Sequence, residues 1–191
     1  MTKTPTETEQ TIIAAAIRCF VRFGARKTSM NDIAESAGVS RQTLYDLFGG
    51  KDELIRSSIR SLTEANLRAV RDRLSECTSL SEKLDAYFEE TVIKSFELLQ
   101  TAGDPEDLIS GHNEAGRDEI ARSHRLHEEL VEQLLVPYAE ALTENGQSAS
   151  PFARFIVTVI MGLKYGATDR ADLEALLGSL KNSVLVSTDQ R

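Results

Sequence analysis

Residues 28–55 read TSMNDIAESAGVSRQTLYDLFGGKDELI, and their punctuation decides the fold. Ser29-Met30-Asn31-Asp32 is an S-x-x-D start signal. A serine hydroxyl can accept from the backbone three residues on, and the aspartate can reach back to the serine N–H. Met30, Ile33, Ala34 and Ala37 follow at helical spacing, and Gly38 supplies the stop. After the break Gly38-Val39-Ser40, Ser40 is placed to cap a second short helix with Leu44, Leu47 and Phe48 as its inward stripe, ended by Gly49-Gly50. Two short helices joined by a tight, glycine-containing turn form a helix-turn-helix, which sets the N-terminal end of the second helix into a DNA major groove. The first turn of that helix carries Arg41, Gln42 and Thr43. Arg pairs with guanine O6/N7, Gln with adenine N6/N7, and Thr touches the thymine methyl. Tyr45 and Lys51 suit phosphate oxygens, and Thr28, Ser29 and Ser40 stand at helix N-termini that favour an anion. The alternative reading is an ordinary helical hairpin with a solvated polar face.

Working outward, helical patterns continue and strand patterns do not appear. Upstream, Ile13, Ala16, Ile17 and Phe20 mark a helix from Thr6 to Phe23, stopped by Gly24. Downstream, Lys51-Asp52-Glu53 opens a helix to Arg73 with Ile55, Ile59 and Leu62 inward, and at 1.5 Å per residue it spans ~33 Å. Further helices are expected over 80–100, over 104–110, and over 117–144 with a break at Pro137. Residues 101–119 contain Gly103, Pro105, Gly111 and Gly116 and read as the most loop-like stretch. Ser150-Pro151 reads as a cap followed by a first-turn proline, leading into Phe152, Phe155, Ile156, Val159, Ile160 and Leu163. Asp169 is placed to cap the last helix, with the stripe Leu173, Leu176, Leu177, Leu180 and Val184. The fold class is all-α.

The chain has 191 residues, 41% hydrophobic and 27% charged, enough to bury a core and too few for a multi-domain enzyme. Its two cysteines, Cys19 and Cys77, form no CxxC pair and argue against a disulfide scaffold or zinc finger. No apolar run approaches the ~18 residues of a membrane span, and MTKTPTETEQ lacks a signal-peptide layout, so a cytoplasmic protein with no membrane partner is expected. The net charge of −8 divides unevenly. Residues 1–60 hold nine Lys and Arg against seven Asp and Glu, and residues 61–191 hold thirteen against twenty-three. A first third at +2 beside a remainder at −10 is compatible with DNA binding by the first third, because screening limits repulsion to about 8–10 Å.

The stretch 28–55 resembles the DNA-binding domain of the TetR (tetracycline-repressor-like) family of bacterial transcription regulators. Ile33-Ala34, Ala37-Gly38-Val39-Ser40, Thr43-Leu44-Tyr45, Phe48 and Lys51-Asp52-Glu53-Leu54 carry the likeness, and Gly49-Gly50 departs from the family's more polar or proline-containing turn. The resemblance implies an N-terminal three-helix DNA-binding domain (1–50), a connecting helix (51–73) and a larger helical effector-binding and dimerisation domain (74–191). It further implies a homodimeric, ligand-responsive transcriptional repressor on a palindromic double-stranded DNA operator, released by a small-molecule effector. Rival readings are a DNA-binding regulator or activator not controlled by a small molecule, and a helical adaptor for a protein partner.

The sequence offers parts for the remaining roles. The helix 152–167 is apolar on more than one face, with Val157 and Met161 outside the main stripe and Gly162 and Gly166 permitting close helix approach. A dimer interface is therefore expected from Phe152, Ile156, Val159, Leu163, Gly166, Leu173, Leu177 and Leu180, against the alternative that both helices pack within one subunit's core. Tyr87, Phe88, Phe96, Tyr138, Phe155 and Tyr165 are candidates to line an effector pocket, or else plain core. The acidic balance of residues 61–191 favours a cationic or neutral ligand over an anion. His124, His127 and Glu128 share a helix face, with His112 nearby, but lack the closing ligand of a metal set, so no metal and no cofactor are expected. There is no G-x-S-x-G, P-loop, G-x-G-x-x-G or H-E-x-x-H, and adjacent acids such as Glu89-Glu90 and Glu128-Glu129 point to different faces, so an enzyme is not expected.

Overall fold

A computed structural model describes residues 5–103 and 114–190, and among these there is no strand. Helix α1 (Glu7–Phe23) starts at a complete capping box between Thr6 and Glu9 and stops at Gly24, whose φ of 84° suits a residue without a side chain. Helix α2 (Met30–Ala37) begins at the Ser29–Asp32 capping box and ends at left-handed Gly38. Helix α3 (Arg41–Phe48) is capped by Ser40 and closed by Gly49, also at positive φ. Helix α4 covers Lys51–Leu74. Then follow α5 (Leu80–Phe88), a π turn (Glu89–Ile93), α6 (Lys94–Gln100), α7 (Glu114–Leu135), a 3₁₀ turn (Val136–Tyr138), α8 (Ala139–Glu144), α9 (Ala149–Gly166) and α10 (Arg170–Ser187).

The chain divides into two compact units, Met1–Glu64 with Leu98–Arg122 and Ala65–Glu97 with Ser123–Arg191. Each has its own core. In the first, Ile12, Ile13, Ala16 and Phe20 of α1 meet Met30 and Ile33 of α2, Leu44 and Phe48 of α3, and Leu54 of α4. Leu47, expected inward, is 40% exposed, because the core already takes Leu44 and Phe48, one turn apart on a two-turn helix. Leu62 is likewise exposed. Gly103 closes this unit: its N–H donates to Val21 O at 3.0 Å, and a Cβ there would fall 2.0 Å from Arg22 O, so only glycine fits. Glu119 of α7 is buried and accepts from Arg60 of α4 at 3.1 and 3.3 Å and from Arg122 at 2.8 Å. Burial alone raises the Glu119 pKa, and the hydrogen bonds from the two guanidiniums outweigh it and hold the carboxyl below its usual value.

The second core gathers Leu67 and Val70 of α4, Leu84, Tyr87 and Phe88 of α5, Val131 and Leu135 of α7, Ile156 and Ile160 of α9, and Leu173 and Leu177 of α10. The helix expected over 80–100 is interrupted by the π turn. The wider turn sets Glu90, Thr91, Val92 and Ile93 all into buried positions, which a single amphipathic α-helical stripe does not do. Asn66 serves this turn, donating to Glu90 O at 2.8 Å and accepting from Thr91 Oγ1 at 3.2 Å. The Glu90 carboxylate is paired with Lys94 and Arg73.

Pro137 breaks the 117–144 pattern as its missing N–H requires. Asp169 caps α10, accepting from Asp172 N at 2.9 Å. Ser150 is not the cap of α9. The helix starts two residues earlier than expected, at Ala149 with Ser148 as N-cap, and Pro151 sits in the first turn, where no intrahelical N–H is needed. The helix expected over 104–110 and His112 lie outside the described residues.

Candidate nucleic-acid interface

The candidate reading residues lie on α3. Leu44 and Phe48 anchor the helix to the first core, which leaves Arg41 and Gln42 exposed and Thr43 half-buried. Ser40 starts it: its Oγ accepts from Thr43 N at 3.0 Å and lies 2.8 Å from Thr43 Oγ1. The polar side chains are held along the helix at i, i+4 spacing. Gln42 Nε2 donates to Asp46 Oδ1 at 2.7 Å. The Arg41 guanidinium lies 5.4 Å from the Tyr45 ring centroid, with Nη2 donating to Tyr45 Oη at 3.5 Å. A guanidinium and an amide thus project from the first turn with their rotamers restricted before any ligand arrives.

The flanking anion contacts are arranged differently from expectation. Thr28 is 2% exposed, and its hydroxyl is shared between Gly24 O at 2.8 Å and Cys19 O at 3.2 Å. Its side chain locks the α1–α2 loop and is removed from any surface contact. Ser29 is exposed, but the N-terminus of α2 already has an anion. Asp32 accepts from Ser29 N and Oγ, both at 2.7 Å, and the backbone hydrogen bond first, then the hydroxyl, hold its carboxyl below the usual range. Lys51 stands near this carboxylate, and its Nζ donates to Arg26 O at 3.1 Å. Sequence reading missed Asp46 and Asp32 as partners of Gln42 and Lys51. The i, i+4 spacing pointed to the first, while the second depends on the fold.

In the second unit the effector candidates separate. Tyr87, Phe88 and Phe96 are buried in the core, Tyr138 is half-buried, and Phe155 and Tyr165 are 52% and 47% exposed on α9. Phe88 lines a surface cleft, with Asp85, Ile93, Glu174, Leu177, Gly178 and Lys181. The Tyr87 hydroxyl lies 3.3 Å from His127 Nδ1, and the two rings meet edge-on. No group of three metal-ligating residues occurs among the described residues.

The proposed dimer positions divide too. Ile156, Leu173, Leu177, Phe152 and Leu180 are 0–7% exposed within the core of the chain itself. Val159 and Leu163 are half-buried and Gly166 is exposed. Periodicity showed which stripe is buried and was silent on what covers it.

An α2–turn–α3 pair with an exposed, polar first turn on its second helix defines a helix-turn-helix protein. Residues 12–57 match the profile of bacterial regulatory proteins of the tetR family. The chain is 35% identical over 81 residues to the HTH-type transcriptional regulator YezE of Bacillus subtilis, covering 42% of each chain. It is 37% identical over 79 residues to the HTH-type transcriptional regulator TtgR of Pseudomonas putida, covering 41% of this chain and 35% of that one. These alignments thus span less than half of either relative. Over nearly the whole length the fold is similar to that of the fatty acid degradation regulator FadR from Bacillus halodurans, with TM-score 0.74, 18% identity and 97% of both chains covered. The likeness to the tetR family of bacterial regulatory proteins thus covers the N-terminal helices, residues 12–57. Among the described residues no helix is long and apolar enough to cross a membrane.

Proposed function

We propose that the protein is a homodimeric transcriptional repressor that reads a palindromic operator through α3 and is released from it by a small-molecule effector. The observation that carries this reading is the exposed first turn of α3, where Arg41 and Gln42 are presented by a helix whose other face is anchored by Leu44 and Phe48. In this reading residues 1–50 bind DNA, 51–73 connect, and 74–191 bind effector and dimerise. The effector must prefer the conformation in which the two α3 helices no longer match successive major grooves.

Dimerisation is assigned to the outer face of α9. Phe155 is exposed there and stacks on Phe152 at 6.0 Å, Val159 and Leu163 follow, and a Cβ added at Gly162 or Gly166 meets nothing within 4 Å. An apolar stripe with two bare backbone positions suits close packing against its own symmetry mate. The test is a mobility shift with sheared genomic DNA at moderate salt, followed by selection of the bound sequences. A palindromic selected motif supports the reading, and no retained DNA overturns it.

A further inference from the structure

Asp46 is the only acid of α3, and its charge opposes both its own helix and a nucleic-acid partner. It stands exposed in the last turn, where a helix C-terminus disfavours a negative charge. A carboxylate on a face that meets phosphates also weakens binding to every DNA sequence alike. Its placement calls for a local reason, and Gln42 supplies one: Gln42 Nε2 donates to Asp46 Oδ1 at 2.7 Å, one turn along the same helix face. This contact fixes which way the amide points. A carboxylate only accepts, so the nitrogen branch of the amide faces Asp46. The two branches of a planar amide diverge, so Oε1 is turned away from Asp46 and one N–H stays available beside it. The neighbouring pair has different chemistry, because Arg41, whose Nη2 donates to Tyr45 Oη at 3.5 Å, offers donors alone. A glutamine free to rotate its amide serves either kind of base edge, donating to guanine O6 and N7 or accepting from the amino groups of adenine and cytosine. A glutamine whose nitrogen is held presents its oxygen.

We propose that Asp46 is the positioning residue that sets the base preference of Gln42, holding its amide so that Gln42 requires a major-groove amino group, adenine N6 or cytosine N4, at its operator position. This rests on the reading of DNA by α3 and adds which bases that helix selects and which residue enforces the choice. Guanine and thymine are refused because their major-groove edges offer only acceptors to hydrogen bonding. Opposite such an edge two oxygens meet. Turning the amide over relieves that clash only by setting Oε1 against the Asp46 carboxylate, where two acceptors again face each other. Adenine is favoured over cytosine where the remaining N–H donates to its N7.

The test is selection of bound sequences from a random DNA pool by the full chain, by Gln42→Ala, by Asp46→Asn and by the double variant, with affinity for unselected DNA measured beside it. Gln42→Ala identifies the position that Gln42 reads, as the one it flattens. There the unsubstituted chain is expected to prefer adenine or cytosine over guanine by at least about tenfold. Asp46→Asn keeps the size of an exposed side chain, so the fold stays, and its amide both donates and accepts, so Gln42 is held equally well either way round. The preference over guanine should then fall to about threefold or less. Affinity for unselected DNA should hold or rise, because a negative charge has left the face turned to the phosphates. In the Gln42→Ala background Asp46→Asn should change no base preference. Guanine or thymine preferred at that position by the unsubstituted chain, or a preference that survives Asp46→Asn, overturns the proposal. So does a change that Asp46→Asn makes in the absence of Gln42, which would mean that Asp46 touches a base itself. Equal loss of affinity on all DNA with the motif unchanged assigns Asp46 to helix stability and also overturns it. A position flattened by Gln42→Ala but indifferent to Asp46→Asn removes Asp46 and leaves base reading by α3 standing. If the unsubstituted chain selects no motif, or Gln42→Ala flattens no position, that reading at Gln42 falls together with the proposal.

Discussion

Lys51 Nζ donates to the carbonyl oxygen of Arg26 at 3.1 Å, joining the first turn of α4 to the loop that precedes α2. A phosphate bound at Lys51 shares this ammonium, which has two further protons to give. Lys51→Ala should weaken binding to all DNA sequences about equally and lower the salt slope by about one unit per subunit. Binding isotherms at several salt concentrations check this, and an unchanged slope assigns Lys51 to the loop alone.

Base reading should reside in Arg41, Gln42 and Thr43. Alanine at a residue making a bidentate base contact should cost about 1–3 kcal/mol on the selected operator and little on random DNA. Preference should relax at one position in each half-site, mirrored across the operator centre. Because Asp46 holds Gln42 at 2.7 Å, Asp46→Ala should broaden preference at the same position as Gln42→Ala. Sequence selections on the variants decide it. If all three alanine variants keep the parent motif, base reading lies elsewhere.

The Tyr87–His127 pair should make stability pH-dependent. His127 is held neutral, its pKa lowered from 6.5 to about 4 chiefly by burial, so below the ordinary value the unfolded chain binds the extra proton and the folded one does not. Stability is then fully present above about pH 6.5 and is lost as pH falls towards about 4, by at most about 3 kcal/mol from this residue. Urea unfolding at stepped pH on the parent and on His127→Leu should show the parent losing more across that window. Parallel curves would remove His127 from the account.

Lys164 should cost stability at neutral pH. Its lowered pKa means that the folded state disfavours the ammonium, so the penalty is present below about pH 8 and relieved as pH rises towards the ordinary lysine value. Lys164→Met should raise Tm at about pH 7 and leave it nearly unchanged at about pH 10.5. Thermal melts at both pH values read this out, and a lower Tm at neutral pH is the contrary result.

Association should depend on the outer face of α9 and not on its core face. Phe155→Glu places a charge where an apolar contact is proposed, and because Phe155 is 52% exposed the subunit should stay folded. Sedimentation should then report a monomer with native helix content. A dimer that survives Phe155→Glu moves the interface elsewhere. Leu177→Glu instead buries a charge in the subunit's own core and should unfold it.

The first three helices were legible because their information is local. Ser29, Asp32 and Ser40 make cap hydrogen bonds within three residues, Gly24, Gly38 and Gly49 take backbone angles that side chains disfavour, and the spacing of Ile33, Leu44 and Phe48 identifies the buried face. The polar first turn of α3 follows from the same arithmetic. Pro137 and Asp169 worked for the same reason. What lay beyond the sequence needed a partner distant along the chain. The burial of Thr28 depends on Cys19 O, the π turn at Glu89–Ile93 on Asn66, and the glycine at 103 on Arg22 O. Leu173, Leu177 and Leu180 show the division. Their spacing determined that one face of the last helix leaves water, and only the tertiary structure decided that its own subunit covers it, because apolar burial is non-directional and the same stripe serves either surface.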